Sequence, residues 1–191
     1  MHPLTQAAHF LLMTLFDLFL FLVLLRFLFQ FLKIDFYNPF AQAIVKLTNP
    51  VLIPLRRFIP SIKGIDTASL VLLFFVCVLK LMVSSLLQYH QFPAPGGLII
   101  WSVGEMILLT LNVFFWAIIL QAVMSWLSPM PGHPIHALLY SLTNPLTQPA
   151  RKVIKPISGI DFSPLVVLLF LQIVIILVAT PIRQLGIAWS M

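Results

Sequence analysis

Leu47 to Leu70 reads LTNPVLIPLRRFIPSIKGIDTASL, and Leu142 to Leu165 reads LTNPLTQPARKVIKPISGIDFSPL. The two stretches align without a gap, every residue of the second numbered 95 above its counterpart, and 12 of the 24 pairs are identical. Among the matches are Pro50/Pro145, Pro54/Pro149, Arg56/Arg151, Gly64/Gly159 and Asp66/Asp161, with the conservative pair Arg57/Lys152 beside them. Repetition at a fixed period decides the architecture in which every other residue is placed. The chain is read as two copies of one unit, residues 1–95 and 96–191.

Composition sets the solvent for that unit. Of 191 residues, 61% are hydrophobic and 8% charged, with a mean hydropathy of +1.07, whereas soluble domains are roughly a quarter charged. Four apolar runs, from Ala8 to Leu32, Ala68 to Leu87, Leu98 to Leu127 and Leu165 to Leu185, reach the ~20 residues a helix needs to cross a bilayer. The expected fold is an all-α membrane protein whose four transmembrane helices form two parallel-repeat hairpins, each with a cytoplasmic amphipathic or interfacial segment between its spans. The first run is expected to be retained, because MHPLTQAAHF has no basic residue to open a signal peptide. The prolines are read as clustering outside the spans, so no broken helix is expected at the midplane.

Charge placement orients the chain. Lys33, Lys46, Arg56, Arg57 and Lys63 fall between runs one and two, and Arg151, Lys152 and Lys155 between runs three and four, eight of the eleven basic residues. By the positive-inside rule these connections are cytoplasmic and both termini face outward. Repeated insertion of a two-span unit gives the same topology. In a bacterial host this places the protein in the inner membrane. So few charges cannot build a phosphate-neutralising face, which excludes nucleic acid as a partner.

Each connection begins with X-Pro, Asn38-Pro39 or His133-Pro134, where proline suits the first helical position and Asn38 the N-cap. Apolar residues follow at helical spacing: Phe40, Ile44 and Leu47, then Ile135, Leu138 or Leu139, and Leu142. Each helix is expected to stop at Thr-Asn-Pro, since proline lacks an amide proton and disfavours the α region in the residue before it. Gly64 and Gly159 then allow a turn at positive φ, and Asp66 and Asp161 stand where a carboxylate caps the next span. Arg56 and Arg151 are the natural counter-ions of these aspartates, or contacts for anionic lipid phosphate. Plain topogenic charge is the competing role for Arg56-Arg57 and Arg151-Lys152.

Two copies of a basic, proline-punctuated segment ending in Gly-Ile-Asp and leading into an apolar span resemble the YggT family of small bacterial and plastid membrane proteins. TNPVLIPLRRFIP with GIDTASL, echoed by TNPLTQPARKVIKP with GIDFSP, carries the resemblance over nearly the whole chain. It implies a multi-pass membrane protein with no established catalytic residues. It also implies links to cytochrome maturation in plastids, and to osmotic tolerance and potassium uptake in bacteria. The family pattern further implies an arginine at the inner end of the first helix of each half. Arg26 fits, but its counterpart is Gln121.

Inside the spans, Asp17, Lys80 and Glu105 lie about 13, 10 and 10 Å from the outer ends of their helices at ~1.5 Å per residue. Intramembrane charges face the bundle interior and pair. Lys80 is therefore expected to be neutralised by Asp17 or Glu105, freeing the other carboxylate for a proton or cation; the alternative is snorkelling of Lys80 and Glu105 to the headgroups. Asp17 maps onto Asn112 and Lys80 onto Ile175, so such a cluster would belong mainly to the first half.

No span interior holds a histidine, so no haem or other cofactor is expected, and no metal site. Neither HExxH, a Gly-rich phosphate loop nor a GxSxG elbow occurs, and no catalytic residue is assigned. Cys77 lies in an apolar run and reads as a small core residue. The expected function is that of a non-enzymatic organising or assembly factor for membrane complexes, with the bilayer and a membrane-protein partner or a second copy as its contacts. The alternative is a minimal cation (potassium or proton) or small-solute transport component linked to osmotic tolerance.

Overall fold

A computed structural model describes residues 3–127, 133–154 and 161–190; Gly159 and Lys155 lie outside them. All regular elements among the described residues are helices: α1 (Pro3–Phe31), α2 (Pro39–Phe58), α3 (Thr67–Tyr89), α4 (Pro95–Leu127), α5 (Pro134–Val153), α6 (Ser163–Val174) and α7 (Thr180–Ser190). Four helical stretches, α1, α3, α4 and the continuous α6 to α7, are long and apolar enough to cross a membrane. In hydrocarbon a helix satisfies its own backbone, which is why these runs adopt no other form. Large apolar side chains such as Phe10, Phe75, Phe170 and Leu177 point outward, as lipid permits.

The main core centres on α1 and α3, where Leu20, Val23, Leu24 and Leu28 meet Leu72, Leu73, Val76 and Leu81, and extends to Leu52 of α2, Trp101 of α4 and Leu142 of α5. Cys77 is buried there and its thiol donates to the Ser102 carbonyl at 3.6 Å. α4 packs on α3 and, most extensively, on α7. That last contact is close backbone packing of a kind only small residues allow. A Cβ at Gly104 would stand 2.7 Å from Arg183 Cα, and one at Gly186 would collide with the Trp101 backbone.

The fourth span differs from its expected unbroken, proline-free form. Ile175–Ala179 is a π-helical turn in which the Thr180 amide donates to the Ile175 carbonyl five residues back, and Pro181 follows inside the span. Proline cannot supply the bond its turn requires, and the wider turn accommodates one additional residue. Run-length reading cannot detect such a turn.

α2 and α5 correct a second expectation. Neither ends at Thr-Asn-Pro: α2 continues through Pro50 and Pro54 to Phe58, and α5 through Pro145 and Pro149 to Val153. The prolines are four residues apart, so their missing bonds stack on one face. That face is exposed, and Thr48 and Leu52, or Thr143 and Thr147, are buried on the opposite face. The stripped carbonyls therefore lie away from the packed side, while the ladder on the packed side stays whole. The face predicted for α2 also shifts, since Ala41, Thr48 and Leu52 are buried while Leu47 is 61% exposed. α2 and α5 touch at the end of the bundle where α1 leads into α3, joined by Asn38 Nδ2 donating to the Pro134 carbonyl at 2.6 Å. At the other end the Ala94 amide donates to the Ser190 carbonyl at 2.9 Å.

Candidate functional site

Two polar arrangements emerge, one inside the membrane-length helices and one where α2 and α5 meet them. In the first, Lys80 on α3 forms an ion pair with Asp17 on α1. Glu105 on α4 pairs instead with Arg183 on α7, Nε to Oε1 at 2.8 Å, and also accepts from Trp101 Nε1 at 3.3 Å. The structure thus selects Asp17 as the Lys80 partner and corrects the rest of the expectation. The second carboxylate is not free, and the cluster draws equally on both halves. Each membrane-length stretch contributes one charge, two acids and two bases, and the four line a common cavity of about 300 Å³. Lys80 and Glu105 are mostly covered, while Asp17 is more than half exposed.

The sequence reading assigns Arg183, the basic residue near the C-terminus, no role. Counting inward would have found it: it lies seven residues from Ser190, about 10 Å deep, the same depth as Lys80. Its approach to Glu105 also depends on Gly104, whose missing side chain lets the Arg183 backbone come close.

In the second arrangement Asp66 is the N-cap of α3, its Oδ1 accepting from the Ser69 amide at 3.3 Å. Its Oδ2 accepts from Ser69 Oγ at 2.5 Å and pairs with Arg56, which also donates to Gln30 Oε1 at 3.3 Å. Burial alone would raise the Asp66 pKa, but the bonds from Arg56 and Ser69 outweigh it and hold the carboxyl below its ordinary range. Gly64, at φ +83°, turns the chain into this cap as its sequence position implied. In the second copy Arg151 Nε pairs with Asp161 Oδ2 at 2.8 Å, but Asp161 is not the N-cap expected of it: Phe162 holds that position without a side-chain bond, and Asp161, one residue earlier, accepts from the Ser163 amide through Oδ1 at 2.9 Å. Here too burial alone would raise the pKa, and the bonds from Ser163 and Arg151 together outweigh it and hold Asp161 low. Arg57 and Lys152, in the last turns of α2 and α5, have no carboxylate within 4.0 Å among the described residues.

A further matched contact escaped the sequence reading. Arg26 Nη1 donates to Thr48 Oγ1 at 3.4 Å and Asn49 Oδ1 at 3.1 Å, and at the positions 95 higher Thr143 Oγ1 donates to Gln121 Oε1. The loss of arginine at 121 therefore does not break the tether between the first helix of each half and the repeated threonine. Thr48 and Thr143 are both fully buried.

The family model described as CCB3/YggT matches residues 5–87 and 100–182. Among relatives, a protein of Pseudomonas aeruginosa is 41% identical over 179 residues, 92% of this chain and 89% of that protein. The protein YggT of Escherichia coli strain K12 is 39% identical over 179 residues, 93% of this chain and 92% of its own. The chloroplast protein CCB3 of Arabidopsis thaliana, named for cofactor assembly of complex C, is 39% identical over 57 residues, 29% of this chain and 33% of its own. No solved structure matches the chain. The chain belongs to the CCB3/YggT family.

Proposed function

We propose that this protein is a non-enzymatic, multi-pass scaffold of the bacterial inner membrane that assists the assembly of membrane complexes. Its four spans form two parallel hairpins with the termini outward, and α2 and α5 lie on the cytoplasmic surface as interfacial helices. Phe40, Leu47, Val51 and Phe58 make an exposed apolar stripe on one side of α2, which supports placing that side in the membrane interface. The basic last turns of α2 and α5 offer a surface to anionic lipid and to a membrane-protein partner or a second copy.

One observation carries the assembly reading: the four charges around the shared cavity are spent in pairs, Asp17 with Lys80 and Glu105 with Arg183, and each pair fastens helices together. A cation pathway needs an acid left available, whereas a scaffold needs its helices registered. The plastid relative named for cofactor assembly adds support. A second reading, a minimal route for potassium or protons, rests on the cavity those four groups share. Potassium flux into proteoliposomes holding only this chain separates the two. Flux no greater than in empty vesicles, with a membrane-complex component that co-purifies with the chain and is lost on Arg57→Glu, is the expected result. Flux abolished by Asp17→Asn would reverse the ranking.

A further inference from the structure

Arg26 is the most deeply buried basic residue among those described, 8% exposed, and none of their carboxylates stands within 4.0 Å of it. Only its Nη1 is engaged, by the neutral oxygens of Thr48 and Asn49. Asp66 is taken by Arg56, and Asp35 accepts the Tyr37 amide proton and does not line the space around Arg26. A buried cation without a counter-ion is unfavourable, and the usual remedies are a paired acid or a bound anion. Here the described residues provide no acid.

They do provide room. Arg26 lines a cavity of about 340 Å³ together with Lys33, Arg56 and Gln30, and the rest of the wall is apolar, Phe29 and Ile34 included. Lys33 also has no carboxylate within 4.0 Å among the described residues. Three cations against the single Asp66 carboxylate leave the site with an excess of positive charge. Arg26 lies five residues before the end of α1, about 7.5 Å from it, which is the depth where headgroups meet acyl chains. The second copy is different: the positions of Arg26, Gln30 and Lys33 are filled by Gln121, Ser125 and Ser128, so only Arg151 keeps its charge.

We infer that the first half holds a phosphate group between Arg26, Lys33 and Arg56, with the apolar wall seating the acyl chain of an anionic phospholipid. Guanidinium groups recognise phosphate by paired hydrogen bonds, and an ammonium adds a point charge. The site rests on the part of the proposed function that gives the basic last turn of α2 to anionic lipid, since Arg56 belongs to that turn, but the paired charges within the spans do not contribute to it.

The second copy also supplies the test. Arg26→Gln installs the residue that already tethers Thr143 at position 121, and Lys33→Gln removes an exposed charge. Native mass spectrometry of the purified full chain, titrated separately with phosphatidylglycerol, phosphatidylcholine and inorganic phosphate, reads the ligand directly. The expected result is one phosphatidylglycerol per chain in preference to phosphatidylcholine, weakened about tenfold or more in Arg26→Gln/Lys33→Gln and unchanged in Arg151→Gln. Saturable inorganic phosphate binding lost in the same double variant, without lipid preference, would keep the phosphate site and reject the acyl-chain assignment. Equal phosphatidylglycerol binding by the wild type and the double variant, or no binding of either phosphate probe, would overturn the proposal. If the double variant fails to fold, Lys33→Gln alone must still weaken binding several-fold, and unchanged affinity would overturn the proposal in the same way.

Discussion

Arg56 and Arg151 are equally accessible, yet their aspartates are not: Asp66 is 2% exposed and Asp161 37%. The repeat gives both copies the same ion pair and the same Gly-Ile-Asp, so the difference comes from their neighbours. Ser69 donates to Asp66 from both its amide and its hydroxyl, but its counterpart is Pro164, which has neither donor. One copy has a buried aspartate as its N-cap, and the other an exposed aspartate one residue before an N-cap, Phe162, that makes no side-chain bond. Identical motifs therefore do not carry equal energy, and the unmatched residues decide how much each contributes.

The deepest contrast is between the interfaces of the two halves. α4 and α7 meet backbone to backbone through Gly104 and Gly186, which by the 95-residue numbering alone correspond to His9 and to Gln91, the latter past the end of α3 at Tyr89. Gly186→Leu should cost about 3 kcal/mol in a denaturation titration in mixed micelles, whereas Gln91→Leu should change stability by less than about 0.5 kcal/mol. Similar costs at both positions would erase the contrast.

Next in size is the Asp17–Lys80 pair. Lys80→Leu alone should cost about 2 kcal/mol by leaving a carboxylate unpaired at membrane depth. Adding Asp17→Asn should recover part of that loss, with a coupling of about 1 kcal/mol in the double-mutant cycle. Additive losses would mean that the two groups act separately.

The caps give a smaller, pH-dependent difference. Asp66→Asn should destabilise by about 1–3 kcal/mol and Asp161→Asn by less than about 1 kcal/mol. Because the folded Asp66 carboxyl is held below its ordinary value of 3.8, its contribution is complete above that value. It is lost as pH falls through the lower folded-state value. An acid titration of unfolding should show a step below about pH 4 that disappears in Asp66→Asn. A step that persists in the variant assigns it to another group.

The smallest effect tests a likeness. Thr48→Ala and Thr143→Ala should each cost about 1 kcal/mol, because each removes a buried hydroxyl tethering a first helix to the short helix after it. Unequal losses would show that arginine and glutamine hold their threonines differently.

Much of this was legible beforehand. Apolar run length located the four membrane-length helices, and the spacing of Arg56 with Asp66 and of Arg151 with Asp161 indicated ion pairs near the helix starts. Two features resisted, each for a physical reason. Pro50 and Pro54 look like terminators one at a time, and only their joint placement opposite the buried Thr48 and Leu52 shows that a helix tolerates them. Arg183 finds Glu105 through a π turn and a glycine contact, and neither leaves a periodic signal in the chain.

That π turn also limits the numbering itself. Up to Val174 a residue of the last span and the one 95 before it can be expected to share a compass bearing around the bundle axis. Past Ala179 the single additional residue turns the helix back by about 100°, so Arg183 takes the bearing an unbroken helix would give Ile182. Its geometric twin in the first half is then Leu87, not Gln88. Past its π turn the duplicate has been set back one notch, like a slipped gear tooth.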